Sequence, residues 1–185
     1  MLLAKRKNIT RLFITLVLLS AIIGAKPLLT TVYPFPYRDL TFYYANTYGI
    51  DPYLLVALIK TESNFNSRAE SHKGARGLMQ VMPETAVWAS ERMGTEDFDP
   101  DCLYDPETNV KIGTWYLANL AKEFNDDTIL VLAAYNGGSG NVKRWIAGQQ
   151  LSGGRGAIDK IPFTETREFI SKVLWTQKVY RFLYD

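Results

Sequence analysis

Glu62 stands near the end of an apolar run, LLVALIKTES, and two polar, glycine-punctuated segments follow it: KGARGLMQVMPETA from Lys73 and AAYNGGSG from Ala133. Leu58 and Ile59 lie four and three residues before Glu62, on about the same helical face. A carboxyl group held against an apolar wall has a raised pKa and keeps its proton near neutrality. That is the state a general acid needs to protonate a glycosidic oxygen. The competing reading is an ordinary solvated glutamate.

The two later segments can fold back over that acid. Gly74 and Gly77 allow left-handed backbone or close backbone approach, so the loop either presses on a sugar ring or simply turns into a helix. Leu78 and Met79 read as packing, and Gln80 can hydrogen-bond a sugar hydroxyl or amide. Tyr135 can stack on a sugar or bond the carboxyl group. Asn136, just before glycines, can instead satisfy a helix terminus.

A two-carboxylate glycosidase needs a second acid. Asp51, Glu70, Glu84 and Glu165 are the candidates. Each has a plain structural use, as a helix cap, a loop charge, a first-turn acid and a helix start respectively. Cys102 is the only cysteine and His72 the only histidine, so neither a disulfide nor a zinc set is available, and no cofactor or metal is implied.

The elements that must position these residues read as helices. Leu40–Tyr48 forms a short helix stopped by Gly49. Asp51 caps the next, with Pro52 in its first turn. Residues 64–77 are loop, Leu78–Met82 begins a short helix, and Pro83–Arg92 is another. Pro106 opens a long helix to Glu123. Asp126 or Asp127 caps Thr128–Asn136, and Val142–Ile146 is a short helical turn. Residues 148–161 are a glycine-rich loop, and Thr164–Tyr184 is the last helix. No stretch alternates as a strand would, so the fold class is mostly α, one domain of about 145 residues.

That domain has an appendage. Lys5, Arg6, Lys7 and Arg11 precede the fourteen-residue run LFITLVLLSAIIGA, the pattern of a secretory signal or a short membrane anchor. The run is shorter than the ~20 residues that cross a bilayer, and cleavage and retention both stay open. Residues 1–29 are therefore read as signal or anchor, 30–39 (TTVYPFPYRD) as a proline-broken connector, and 40–185 as the functional domain. Tyr33, Phe35 and Tyr37 can pack the connector onto the body. The 185 residues carry a formal charge of +2, but five basic residues and no acid lie before Pro27. The remainder holds 16 basic and 19 acidic side chains, which argues against a nucleic-acid partner.

Taken together, the motifs resemble the soluble-type lytic transglycosylases, the SLT domain with its lysozyme-like fold. Glu62-Ser63, Gly77-Leu78-Met79-Gln80 and Ala134-Tyr135-Asn136 match the family's motifs in order and spacing. DPETNVKIGTWYL at 105–117 and IPFTETREF at 161–169 are also similar to it, so the likeness covers about residues 40–184. It implies cleavage of the β-1,4 link between N-acetylmuramic acid and N-acetylglucosamine in peptidoglycan, with formation of a 1,6-anhydromuramic end. It further implies Glu62 as acid and base, and Ser63, Gly77, Leu78, Met79, Gln80, Tyr135 and Asn136 at the substrate. Phe169 stands where the family carries a tyrosine, and Tyr180, eleven residues on, is the other candidate for that aromatic role. The expected partner is the glycan strand, together with the cell membrane if the N-terminal segment is kept, and the expected state is an exported monomer, anchored to the membrane or free as a secreted or periplasmic protein. A muramidase on the same fold and a non-catalytic peptidoglycan-binding module are the alternatives.

Overall fold

A computed structural model describes residues 27–95 and 97–185, together with Ile14, Thr15, Ser20 and Gly24. Among the described residues, seven α-helices follow residue 37: α1 (Arg38–Tyr48), α2 (Pro52–Ser63), α3 (Pro83–Arg92), α4 (Pro106–Glu123), α5 (Thr128–Gly137), α6 (Ser139–Ala147) and α7 (Thr164–Tyr184). Short 3-10 helices at Pro100–Tyr104 and Arg155–Lys160 join α3 to α4 and α6 to α7. Among the described residues there is no sheet. Isolated bridges pair Glu70 with Arg76 and Arg76 with Val81.

Local chemistry sets the helix starts. The Asp51 carboxylate accepts from the Tyr53 N–H at α2, with Pro52 beside it. Asp105 accepts from the Thr108 N–H at α4, ahead of Pro106. Asp127 accepts from the N–H groups of Ile129 and Leu130 at α5. Each occupies donors that a first helical turn otherwise leaves unpaired. Gly49 ends α1 in the left-handed conformation.

The core is built around two helices that are apolar on all sides, which is the mark of an interior helix. In α2 every residue from Tyr53 to Ile59 is buried, and in α5 every residue from Ile129 to Ala134. Helix α2 runs against α7 and α1, and α5 lies among α4, α6 and α7. Glu62 and the Tyr135-Asn136 pair therefore sit at the polar ends of two rigid rods, where their positions are fixed by packing rather than by loops.

A second, aromatic cluster ties the N-terminal segment down. Tyr53, Val56 and Tyr180 are buried in it, with Tyr33, Phe35, Phe42 and Tyr184 packed around them. The Tyr180 hydroxyl donates to the Pro34 carbonyl at 2.6 Å, and the Tyr184 hydroxyl to the Tyr33 carbonyl at 2.7 Å.

Several expectations are corrected. The fold was expected to include an N-terminal hydrophobic signal or anchor segment. Among the described residues no helix is long and apolar enough to cross a membrane, and the apolar run at residues 12–25 lies largely outside them. Residues 27–32 are helical, so helix runs into the stretch read as connector before Pro34 stops it. Residues 78–82 are turns and a bridge rather than a helix. Helix α6 is longer than Val142–Ile146, and the loop at 148–161 carries a 3-10 helix.

Candidate active site

Glu62 is half-buried at the C-terminal end of α2. Its carboxyl pKa is pushed up to about 8, first by burial and then by the charge of Glu165, with Lys172 pulling the other way. Glu165 and Lys172 are seven residues apart on α7, two turns along one face. Glu62 thus faces α7 between an anion and a cation. Burial and Glu165 together outweigh Lys172, and the acid keeps its proton at neutral pH.

The loop after α2 is held by one buried side chain. Asn109, on α4, is fully buried. Its Oδ1 accepts from the Met79 N–H at 2.8 Å, and its Nδ2 donates to the carbonyls of Arg76 at 2.8 Å and Leu103 at 2.9 Å. Gly77 makes this approach possible. Its φ is +74°, and a Cβ there would lie 2.2 Å from the Leu103 carbonyl oxygen. Gln80, itself at φ +48°, donates from Nε2 to the carbonyls of Ala69 and Gly77 at 3.1 and 3.0 Å. Leu78 and Met79 bury their side chains completely.

Tyr135 joins this loop to α5. Its hydroxyl donates to the Met79 carbonyl at 2.8 Å. Burial, then the nearby Glu62 and Tyr116, push its pKa well above the usual phenol value, so it stays a hydroxyl and a donor. Its ring lies 5.7 Å from Tyr116, and Tyr116 lies 6.2 Å from Trp88. This aromatic row leads from the neighbourhood of Glu62 to a cavity of about 430 Å³ lined by Trp88 and Tyr116 with Glu84, Asn119 and Lys143. A second cavity, of about 410 Å³, opens at Glu62 and Ser63 themselves, between α2, α7 and the N-terminal segment. An acid in one cavity and aromatic faces lining another suit an elongated, ring-built polymer.

A family model, the transglycosylase SLT domain, matches residues 39–156. The chain belongs to the SLT family. The soluble lytic murein transglycosylase of Escherichia coli (strain K12) is 36% identical over 155 residues, which cover 81% of this chain and 24% of that protein. Membrane-bound lytic murein transglycosylase C of Edwardsiella ictaluri (strain 93-146) is 37% identical over 168 residues, 78% of this chain and 46% of that protein. Among solved structures, an inactive glutamate-to-glutamine mutant of the lytic transglycosylase Slt from Pseudomonas aeruginosa aligns with a TM-score of 0.77 at 32% identity, over 84% of this chain and 25% of that one. The 70-kDa soluble lytic transglycosylase in complex with bulgecin A aligns with a TM-score of 0.78 at 35% identity, over 85% of this chain and 26% of that one. The chain spans about a quarter of the length of the soluble curated relatives it matches.

In this SLT domain, Ser63 lines the same cavity as Glu62, the charge of Glu62 acts on Tyr135, and Gln80 is turned to the carbonyls of Ala69 and Gly77. Asn136 is held by a bond from the Thr166 hydroxyl to its Oδ1 at 2.8 Å. Ser63 returns its hydroxyl to the Ile59 carbonyl at 3.2 Å. Neither aromatic candidate lines the cavity at Glu62 or the one at Trp88. Phe169 is packed into the main core and Tyr180 is fully buried in the aromatic cluster, where its hydroxyl is already committed to Pro34. Nor is the Met79 backbone free, since Asn109 takes its N–H and Tyr135 bonds its carbonyl.

Of the four candidate second acids, only Glu165 reaches Glu62 electrostatically. Asp51 is spent on its cap and on Gln177 and Arg181. Glu70 accepts from the Tyr104 hydroxyl at 2.5 Å and lies 4.0 Å from Arg76. Asn109, Thr166, Trp88 and Tyr116 were not singled out from the sequence. Asn109 carried one signal, a polar residue on the inward stripe of a capped helix.

Proposed function

We propose that this SLT domain, residues 40–185, is a peptidoglycan lytic transglycosylase acting outside the cytoplasmic membrane, where its wall substrate lies. The supporting observation is Glu62: one half-buried carboxyl, protonated up to about pH 8, at the wall of an open cavity. Its relatives bear the same activity in their names, and an inactive glutamate-to-glutamine variant is known in one of them.

In the first step Glu62 gives its proton to the oxygen between N-acetylmuramic acid and N-acetylglucosamine. The bond from C1 to that oxygen breaks, and the acetamido oxygen of the muramic residue stabilises the positive charge at C1. Glu62, now a carboxylate, takes the proton of the same sugar's C6 hydroxyl as O6 attacks C1. The acid is restored, a 1,6-anhydro ring is formed, and no water is consumed. Intramolecular attack gains from proximity. Tyr135 and Asn109 hold the loop that carries Gln80, whose Oε1 is left to accept from the substrate. Asn136, fixed by Thr166, and Ser63 border the reacting sugar.

Glu165 keeps a second reading in view. An acid that senses Glu62 is also where a water-activating base would stand, and with it the enzyme would be a muramidase. Product mass separates the two. Purified peptidoglycan digested with the protein should yield muropeptides ending in anhydromuramic acid, one water lighter than reducing ends, and the Glu62→Gln variant should yield none. Reducing-end products would overturn the reading.

A further inference from the structure

A further cavity, of about 310 Å³, opens between α1, α3, the 3-10 helix at Pro100–Tyr104 and α4. It shares no residue with the cavities at Glu62 and at Trp88. Glu107 and Lys111 line it from consecutive turns of α4. A glutamate four residues before a lysine is the spacing at which helical side chains ordinarily pair. Here they do not: among the described residues neither forms an ion pair. Tyr44, buried on α1, donates its hydroxyl to Glu107 Oε1 at 3.1 Å and holds that carboxylate toward α1. Burial, then this bond and the charge of Glu107, push the Tyr44 pKa up to about 12, so the hydroxyl stays a donor. Lys111 is exposed and hydrogen-bonds nothing among the described residues.

The cavity thus presents one negative and one positive group, held apart, with apolar surface beside them. Met93, Phe98 and Ile112 supply that surface, and all three belong to the main core. Two opposite charges left unpaired in one hollow favour a ligand that brings both. An anion alone meets Glu107, and a cation alone meets Lys111. A neutral sugar answers neither charge. The volume is the share of about ten water molecules, at the lower end of small-molecule sites.

We propose that this cavity is a second ligand site, separate from the catalytic one, for a small zwitterion: a free α-amino acid with an apolar side chain. Glu107 accepts from its ammonium, Lys111 donates to its carboxylate, and its side chain lies against Met93, Phe98 and Ile112. Positions one turn apart on a helix are about 5.4 Å apart along the axis. An ammonium and a carboxylate on one carbon bridge that gap with a hydrogen bond at each end. The ligand completes the Glu107–Lys111 link that Tyr44 prevents. Nothing in this site depends on the chemistry at Glu62.

Cys102, the only cysteine, is exposed and lines this cavity, so its alkylation reports occupancy in the intact protein. The rate of its reaction with iodoacetamide would be followed by mass spectrometry. Racemic leucine would be compared with isopentylamine, which lacks the carboxylate, and with isocaproate, which lacks the ammonium. Ligand-observed NMR on leucine reads the same binding without the thiol. Leucine is expected to slow alkylation saturably at millimolar concentration, and the two half-ligands are not. Glu107→Gln removes the charge but keeps an acceptor for Tyr44. It and Lys111→Gln should each raise the leucine needed for half-protection about tenfold, the size of one lost charge-assisted bond. Lys111→Arg should restore it. Unchanged alkylation together with no NMR signal would overturn the site. So would equal protection by leucine and isopentylamine, or protection that both Gln substitutions leave intact. The transglycosylase reading stands or falls separately, on the mass of the products.

Discussion

Tyr135 and Met79, 56 positions apart in the chain, are joined by a 2.8 Å hydrogen bond from hydroxyl to carbonyl, and this bond couples the rigid α5 rod to the loop that borders Glu62. Removing only the hydroxyl isolates its contribution. Tyr135→Phe keeps the ring against Tyr116 and should cost about 1 kcal/mol of stability, read as a lower urea midpoint at unchanged slope. Because the loop then loses its register with Glu62, turnover should fall by about tenfold or more. Unchanged turnover would show that Asn109 holds the loop alone.

Asn109 answers three backbone groups at once. Asn109→Ala leaves those groups buried without partners and should destabilise by about 3 kcal/mol. Asn109→Asp should fare no better, because its second oxygen would face the carbonyls of Arg76 and Leu103. Thermal denaturation of both variants checks this, and a near-native Asp variant would sink the argument.

Gly77 is the backbone side of the same arrangement. Gly77→Ala would place a methyl group 2.3 Å from Asn109 Nδ2 in a left-handed conformation that side chains disfavour. The expected loss is about 3 kcal/mol. Gly74 also has positive φ but nothing within 4 Å of a built Cβ, so Gly74→Ala should cost only about 1 kcal/mol. The ratio of the two unfolding midpoints distinguishes collision from backbone strain.

What could be read from the sequence, and what could not, divides along range. The caps at Asp51 and Asp127, and Pro106 at the head of α4, act within one helical turn, so their positions were legible. The three site motifs were legible as well, because each is a short contiguous string. Tyr180 was misplaced for the opposite reason: its partner Pro34 is 146 positions away, and an aromatic residue on a helix does not announce which side of α7 faces the cavity at Glu62. Thr166, Trp88, Tyr116 and Lys172 share that difficulty. Each acquires its role from a neighbour on another helix.

Glu62 sets the pH dependence of both turnover and stability. Its ordinary pKa of 4.5 rises to about 8 in the folded protein. The acid form starts the reaction, so turnover should fall as pH rises through about 8. Glu165→Gln removes an anion that raises this pKa, and the falling limb should move to lower pH. Stability runs with the same sign. Below 4.5 the carboxyl is protonated in both folded and unfolded chains and contributes no pH dependence. Between 4.5 and 8 the unfolded chain releases a proton that the folded one keeps, so stability declines as pH rises. Glu62→Gln escapes this, and its melting temperature should exceed that of the unsubstituted protein increasingly from pH 5 to 8. A constant difference across that range would mean that Glu62 is not desolvated.

The N-terminal segment forms one wall of the Glu62 cavity through Val32 and Tyr33, and the Tyr180 hydroxyl is its deepest attachment. Tyr180→Phe preserves the edge-on contacts with Tyr33 and Phe35 while leaving the Pro34 carbonyl without its donor. The global loss should be about 1 kcal/mol, but the local effect should be larger, because residues 34–36 lie between helices and belong to neither. Limited proteolysis should therefore cut between residues 30 and 37 sooner than in the unsubstituted protein, with α2 and α7 still intact. Equal cleavage rates would mean that the aromatic rings hold the segment without the hydrogen bond.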